Sequence, residues 1–370
     1  MNPIYFSQII GNEEIKRQLN CMISKKAIGH ALLFAGPDGI GKSLFAWAFA
    51  AQIMAEYDRE KDHSRKIQAG QHPDVHVYRP EGKLGLHSIQ ALRQLSEEVH
   101  LPPYEASWKV FIIHDADRML SYSANALLKT FEEPPSRTVM ILLSRSQAAL
   151  LPTILSRCCT LHFHALPDNL IHNFLKQHTT LDDSMYDKIV RQAQGSLGRA
   201  LRLAKRGDTH RDDLLNFLAR SPLLNYRALQ EGIQVLNEQV EMAKKHAEEA
   251  AKEDFFKIYA DHQLSAQQQH ALEKELEGFT ALAMTQKAQD LFEHILSWYR
   301  DMHLLLLGGS STHLANPDFH AQLQQAVQRG DIKPLNQVYQ AVEEAYLALQ
   351  RSTPLPLCLE NLFLKLGLVS

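Results

Sequence analysis

Residues 36–50 read GPDGIGKSLFAWAFA, and the reading of this stretch decides the fold. Gly36, Gly41, Lys42 and Ser43 meet G-x-x-x-x-G-K-[ST] at every fixed position. The short apolar run Ala31–Ala35 precedes the glycines, and a proline-free run of helix formers follows them. Each part has a physical task. Gly36, Gly39 and Gly41 let the backbone curl so that its N–H groups converge on phosphate oxygens. A helix starting at Lys42 adds the partial positive charge of its N-terminus. The Lys42 ammonium neutralises the β and γ phosphates, and the Ser43 hydroxyl can ligate Mg²⁺. Strand, glycine turn and helix in this order predict a nucleoside triphosphate cradle.

Outward from that stretch, apolar runs alternate with amphipathic ones. ALLFA (31–35), VHVY (75–78), VFII (110–113), VMILLS (139–144) and TLHFH (160–164) read as strands. Three are apolar almost throughout, as parallel strands covered on both faces must be. Ile89, Leu92, Leu95 and Val99 form one helical stripe, and Ala124, Leu127, Leu128 and Phe131 another, which Pro134-Pro135 ends. The alternation predicts an α/β domain with a parallel sheet over residues 1–165. A P-loop ATPase also needs a second strand ending in carboxylates. VFII is followed by His114-Asp115-Ala116-Asp117. Asp115 supplies one carboxylate for catalysis and for Mg²⁺. His114 is a poor companion, because a hard cation prefers oxygen ligands. The pattern favours nucleotide binding and argues against hydrolysis.

Strands disappear after Leu166. NLIHNFLKQH, SMYDKIVRQAQ and GSLGRALRLAKRG read as three helices, a small module over 166–207. Residues 208–370 read as helical throughout, with a Glu/Lys/Ala-rich stretch near 240–255 expected to be a solvated helix face. In residues 283–306, Leu291, Ile295, Trp298 and Met302 share a stripe that suits either a partner's helix or the chain's own core. The bulk numbers are ordinary for a globular chain: 370 residues, 45% hydrophobic, 22% charged, net charge −3. They exclude a polycation, so nucleic-acid contact needs a local patch or partner subunits. Cys21, Cys158, Cys159 and Cys358 show no CxxC spacing and are expected as reduced thiols. No apolar run reaches the ~18 residues of a membrane span, and the first residues lack a signal-peptide pattern. A cytoplasmic protein with no membrane contact is expected.

HALLFAGPDGIGKS, HPDVHVYRPEG, KVFIIHDADRM, SANALLKTFEEPP and LPTILSRC together resemble the bacterial DNA polymerase III clamp-loader family of AAA+ ATPases, and within it the delta-prime branch. GSLGRAL extends the likeness into a helical lid, and WYRDMHLLLLG with LCLENLFLKL into a C-terminal collar. The resemblance implies an AAA+ core at 1–165, a lid at 166–207 and an oligomerisation collar at 208–370. It implies ATP or ADP with Mg²⁺ as cofactor. As partners it implies other loader subunits (gamma/tau and delta), with the sliding clamp and primed DNA indirectly. In Ser156-Arg157-Cys158 it implies that Arg157 is an arginine finger, acting in trans on a neighbour's γ-phosphate. In Ile9-Ile10-Gly11-Asn12 it implies backbone contacts to adenine. Ser144 or Ser146 falls at the polar sensor position.

Three departures accompany the likeness. His114 replaces a metal-binding Asp. Arg199 is one place later than the lid arginine of the motor subunit. The family's four-cysteine zinc module has no counterpart: residues 51–72 contain no cysteine, and His63, His72 and His76 make no recognised zinc spacing, so no zinc is expected. These features favour an architectural subunit over the alternative, a gamma/tau-like motor, which the intact Lys42-Ser43 supports. A stand-alone AAA+ protein of recombination or helicase loading is a third reading, disfavoured by the NALLKTFEEPP and SRC pair.

Overall fold

The computed structural model describes residues 6–82, 85–206, 209–222, 225–259, 266–330, 332–351 and 353–369. Two compact units result: one from residues 1–81 and 86–206, the other from residues 82–85 and 207–370. The boundary expected between 207 and 208 falls on residues that lie outside the described residues.

In the first unit α1 (Glu13–Ser24), β1 (Ala31–Ala35), α2 (Lys42–Tyr57), α3 (Ser64–Gln68), β2 (Val75–Tyr78), α4 (Ile89–Val99) and β3 (Lys109–Ile113) follow one another. Then come α5 (Ser121–Glu132), β4 (Thr138–Ser144), α6 (Pro152–Leu155) and β5 (Cys159–His162). Among the described residues the strands form one parallel five-stranded sheet in the order β2-β3-β4-β1-β5. Every residue of β1, β3 and β4 is buried. The period of two sends Leu32, Phe34, Val110, Ile112, Val139 and Ile141 to one face, against α1 and α2. It sends Leu33, Phe111, Ile113, Met140 and Leu142 to the other, against α4 and α5. That two-sided cover is why these strands are apolar except at their ends, at Lys109, Thr138 and Ser144.

The apolar run at 160–164 was expected as a strand to His164; β5 instead spans Cys159–His162. Its sole ladder partner, β1, leaves the sheet after Ala35, which accepts a last bond from Phe163 N at 2.7 Å. The His164 N–H turns to the Asn12 side chain at 3.0 Å.

Edge strand β2 is tied to the segment before β3 through Asp74. Its buried carboxylate accepts backbone N–H groups from Tyr104 (2.5 Å), Glu105 (2.9 Å) and Ala106 (2.8 Å). Three helices complete the unit: α7 (Asp168–His178), α8 (Asp183–Ala193) and α9 (Leu197–Arg206), around Ile171, Leu175, Tyr186, Ile189 and Ala200.

The second unit is helical: α10 (Thr209–Ala219), α11 (Tyr226–Tyr259), α12 (Ala266–Leu306), α13 (His320–Arg329), α14 (Leu335–Gln350) and α15 (Leu355–Lys365). Leu291, Ile295, Trp298 and Met302 are buried in this unit's own core, which decides between the two uses open to that stripe. Arg211 is buried and fixed by Asn316 and by both oxygens of Asp318, at 2.7 and 2.8 Å. The Glu/Lys/Ala-rich stretch is the distal part of α11; Val240 on it is buried and Glu238 exposed, and its side chains from 251 onward lie outside the described residues. No helix among the described residues is long and apolar enough to cross a membrane.

The Asp74 clamp sets a first prediction. Burial alone would raise its pKa, but the three N–H donors win and hold it below the ordinary value. A depressed carboxylate gives stability that is present above about pH 3.9 and lost as pH falls through its folded pKa. Asp74→Ala should cost about 2–4 kcal/mol at pH 7 and distinctly less at pH 3, measured by urea denaturation at both.

Candidate nucleotide-binding site

The cradle is a tight turn between β1 and α2. Gly39 (φ +73°) and Gly41 (φ +99°) occupy left-handed conformations that side chains resist. Gly36 N is bonded to Ser144 O at 3.1 Å, which fixes the turn to the end of β4. Lys42 opens α2, with Ser43 beside it in the first turn. The buried ammonium of Lys42 folds back on the loop, donating to Gly36 O (2.5 Å) and Pro37 O (2.8 Å), and lies 3.6 Å from Asp38 Oδ1. Burial lowers its pKa, while Asp38, Asp115 and Asp117 oppose that shift. The glycine conformations, the helix start and the ammonium fit a polyphosphate.

The turn between α8 and α9 rests directly on this loop. Ser196 Oγ donates to Asp38 O at 2.8 Å, and Gly198 N donates to Gly39 O at 2.8 Å. Arg199 N donates to Ser196 Oγ at 3.2 Å, so the Arg199 backbone borders the cradle. A Cβ on Gly39 would lie 2.4 Å from Ser196 Oγ. Gly11 approaches the same lid from the other side: a Cβ there would meet Leu166 Cδ2 at 2.2 Å. Ile9 is buried, Ile10 is half-buried, and Asn12 starts α1 while clasping His164 through both its amide groups. Of the sequence-expected residues, Arg199 borders the loop at 36–43, whereas Gly11 and Asn12 pack on Leu166 and His164.

The end of β3 is the unusual part. His114 N bonds Tyr78 O at 2.9 Å, and His87 Nε2 donates to His114 O at 2.7 Å. Asp115 is left-handed at φ 48°, so the chain turns sharply there. Burial raises the Asp115 pKa, with Asp117 and Asp38 adding to it. Burial also pushes His114 down to about 3, with Arg79, His87 and Lys42 contributing, so its imidazole is neutral near pH 7. The His114 Nε2 is buried and has no hydrogen-bond partner. Asp117 is engaged by Arg145, whose Nη2 and Nε lie 2.8 and 3.1 Å from one oxygen. Burial would raise Asp117, but this pairing leaves it lowered. Sequence reading missed Arg145; an arginine between Ser144 and Ser146, beside a strand-end acid, was the available signal. Ser144 and Ser146 now separate: buried Ser144 reaches Asp117 at 3.3 Å, whereas Ser146 caps a short turn through Ala148 N.

For a divalent ion at the phosphates, the oxygens on offer are Ser43 and Asp115. Asp117 is committed to Arg145, and His114 brings no oxygen. Mg²⁺ at a nucleotide takes most of its oxygens from phosphates and water, so a hydroxyl and one carboxylate are of the kind that would hold it.

Arg157 follows α6. Its side chain is 31% exposed; the guanidinium pairs with Glu132 at the end of α5 and donates to Thr153 O at 2.8 Å and Ser156 Oγ at 3.1 Å. It is therefore a surface group, not one turned into the core. Beside it, burial pushes the Cys158 thiol up to about 12.

A second polar cluster joins His63, His72 and Glu105, a juxtaposition the sequence did not reveal because Glu105 is remote in the chain. His76 stands apart, stacked on Phe111. Asp74 N donates to His72 Nδ1 at 3.1 Å, so the neutral His72 ring carries its proton on Nε2 and gives it to His63 Nδ1 at 2.8 Å. Lys66 takes the Glu105 carboxylate at 2.6 Å. The cluster is thereby a hydrogen-bonded chain. A cation at His72 Nε2 would require that the ring give up the Asp74 N–H.

The fold and site define a class: a P-loop α/β core with a parallel five-stranded sheet, followed by three short helices and a helical C-terminal unit. Residues 11–167 match the sequence model of a family described as "DNA polymerase III, delta subunit". The chain is 36% identical over 166 residues to DNA polymerase III subunit delta' of Bacillus subtilis, covering 42% of this chain and 50% of that one. It is 29% identical over 233 residues to the tau subunit of Escherichia coli, covering 60% of this chain and 36% of that one. A solved gamma subunit-related protein of Thermotoga maritima covers 96% of this chain and 98% of its own at 18% identity and a TM-score of 0.41. Residues 11–167 are thus similar to the DNA polymerase III delta and delta' family. The chain spans half or less of the length of these curated relatives.

The contact between lid and cradle gives a second prediction. Gly39→Ala must strain a left-handed turn and push Ser196 away. It should cost about 2 kcal/mol in denaturant unfolding and expose the 194–199 segment to limited proteolysis. Unchanged cleavage would mean that the contact does not hold the lid.

Proposed function

We propose that this chain acts as a delta-prime-type subunit of the replicative clamp loader. Its role is mainly architectural: it holds ATP or ADP weakly in its own cradle and lends Arg157 to a neighbouring ATPase subunit. The division is a nucleotide-binding core (1–165), a lid (166–207) and a collar (208–370) that joins other loader subunits, gamma/tau and delta, in the cytoplasm. Sliding clamp and primed DNA are engaged through the assembly.

The observation that carries the reading is the contrast between two sites on one unit. The home pocket keeps Lys42 and its glycines but has His114 where hydrolysis wants a carboxylate. The Arg157 guanidinium, by contrast, is at the surface, held only by a half-exposed glutamate and by oxygens of its own turn. A fixed planar cation there suits the charge that builds on a γ-phosphate supplied from outside. The tight Glu132 pair would be exchanged for phosphate when a neighbour docks.

Arg157→Ala should leave the fold intact by circular dichroism and slow the ATPase of the reconstituted loader about tenfold or more. A wild-type rate would remove the finger assignment. The motor alternative is supported by the intact Lys42-Ser43 and is tested on the isolated chain. That chain should turn over ATP hardly above background, and Lys42→Ala should abolish nucleotide binding. Several Lys42-dependent turnovers per minute would favour the motor.

A further inference from the structure

We propose that His87 is a positioning residue for the nucleotide site: it staples both ends of the turn that carries Asp115, and so presets that carboxylate for the Mg²⁺ of a bound nucleotide. This deepens the nucleotide reading above and rests on it. The turn is short. Arg118 N donates to Asp115 O at 2.8 Å, and Met119 N to Ala116 O at 3.3 Å. Asp115 opens it in the left-handed region at φ 48°, a conformation that a residue with a side chain holds only when its surroundings impose it. His87 imposes it from one place. Its ring donates from Nε2 to His114 O at 2.7 Å, just before the turn. Its main-chain N–H donates to Arg118 O at 3.2 Å, at the turn's far end.

The staple is itself anchored. His87 is buried, and the next residue, Ser88, caps α4, its hydroxyl accepting from Ala91 N at 3.1 Å. A carbonyl can only accept, so the neutral ring carries its proton on Nε2. Burial lowers the His87 pKa against the pull of the His114 and Asp115 backbone, and the ring is neutral near pH 7. Its Nδ1 is buried with no hydrogen-bond partner. An apolar side chain would fill the same space without that cost, so what the imidazole adds is its one donor. The turn lies within electrostatic reach of the phosphate loop: Asp115 acts on the Lys42 ammonium, and Asp38 acts on Asp115. Asp117 is taken by Arg145, which leaves Asp115 as the carboxylate to be placed. Mg²⁺ demands near-ideal octahedral geometry, so a hydrogen bond that fixes the backbone of its ligand bears directly on affinity.

The test is titration of the full-length chain with fluorescent N-methylanthraniloyl ATP, in EDTA and in millimolar Mg²⁺, with amide hydrogen exchange of the nucleotide-free protein alongside. In wild type Mg²⁺ should tighten binding by about tenfold or more. His87→Phe keeps a buried ring and removes the donor. It should lose about tenfold of the Mg²⁺-dependent tightening, while binding in EDTA stays within about twofold of wild type. His87→Gln, whose amide can donate in place of Nε2, should restore most of that loss. Without nucleotide, the Arg118 and Met119 amides should exchange about tenfold faster in His87→Phe. Circular dichroism and melting check that the variants fold, and His87→Met takes the place of His87→Phe if the larger ring does not. A folded apolar variant that keeps the full Mg²⁺ effect overturns the inference. So does one that weakens equally in both buffers, which marks a residue that only holds the fold, or a folded His87→Gln that restores nothing. Wild-type binding that gains less than about twofold from Mg²⁺ also overturns it and leaves the nucleotide reading standing. A folded wild-type chain that binds in neither buffer overturns the nucleotide reading itself.

Discussion

The buried ammonium of Lys42 is the constraint around which the nucleotide-binding unit is arranged. A positive charge with little access to water must be answered nearby, and it is answered by two loop carbonyls and the Asp38 carboxylate. Asp115 and Asp117 add negative charge on the facing strand end. Of these, Asp117 is paired with Arg145, and the neighbouring histidine stays uncharged. Incoming phosphates therefore have to draw Lys42 off its carbonyls, an exchange that limits affinity.

The same turn organises the lid. Asp38 and Gly39 carbonyls, pushed outward by the left-handed glycine, become the acceptors for Ser196 Oγ and Gly198 N. Any ligand that reshapes the loop must move those acceptors, and with them α9. The absence of side chains at Gly39 and Gly198 is what lets the two backbones meet: a Cβ on Gly198 would lie 3.0 Å from Gly39 Cα. Loop and lid thus form one mechanical element, whether or not chemistry occurs in the pocket.

Much of the first unit was legible in advance. VHVY and ALLFA became β2 and β1 residue for residue, because a short run of aliphatic, β-branched and aromatic residues flanked by turn residues has few other uses. The cradle was legible because glycine spacing encodes backbone conformation directly. The fifth strand was read too long, since where a strand stops depends on where its neighbour leaves the sheet. Arg145 and Glu105 were missed for a related reason: an ion pair or a histidine's carboxylate partner is a fact of distance between remote segments, and carries no periodicity. The Leu291–Met302 stripe was ambiguous because a helix face looks alike whether it meets its own chain or another.

By itself, then, the amino-acid order determined the strand–turn–helix cradle, the parallel sheet, the switch to an all-helical C-terminal half and the histidine at the acidic strand end. Those follow from local rules: alternation, helical spacing and the torsional freedom of glycine. Only the folded chain decided that Asp117 belongs to Arg145, that the lid backbone grips the phosphate loop, that His114 keeps an unmatched buried nitrogen and that Arg157 stays at the surface. Each of these is a matter of which groups end up within about 3 Å of one another, the range over which hydrogen bonds form, and the chain sets that only when its distant parts have packed.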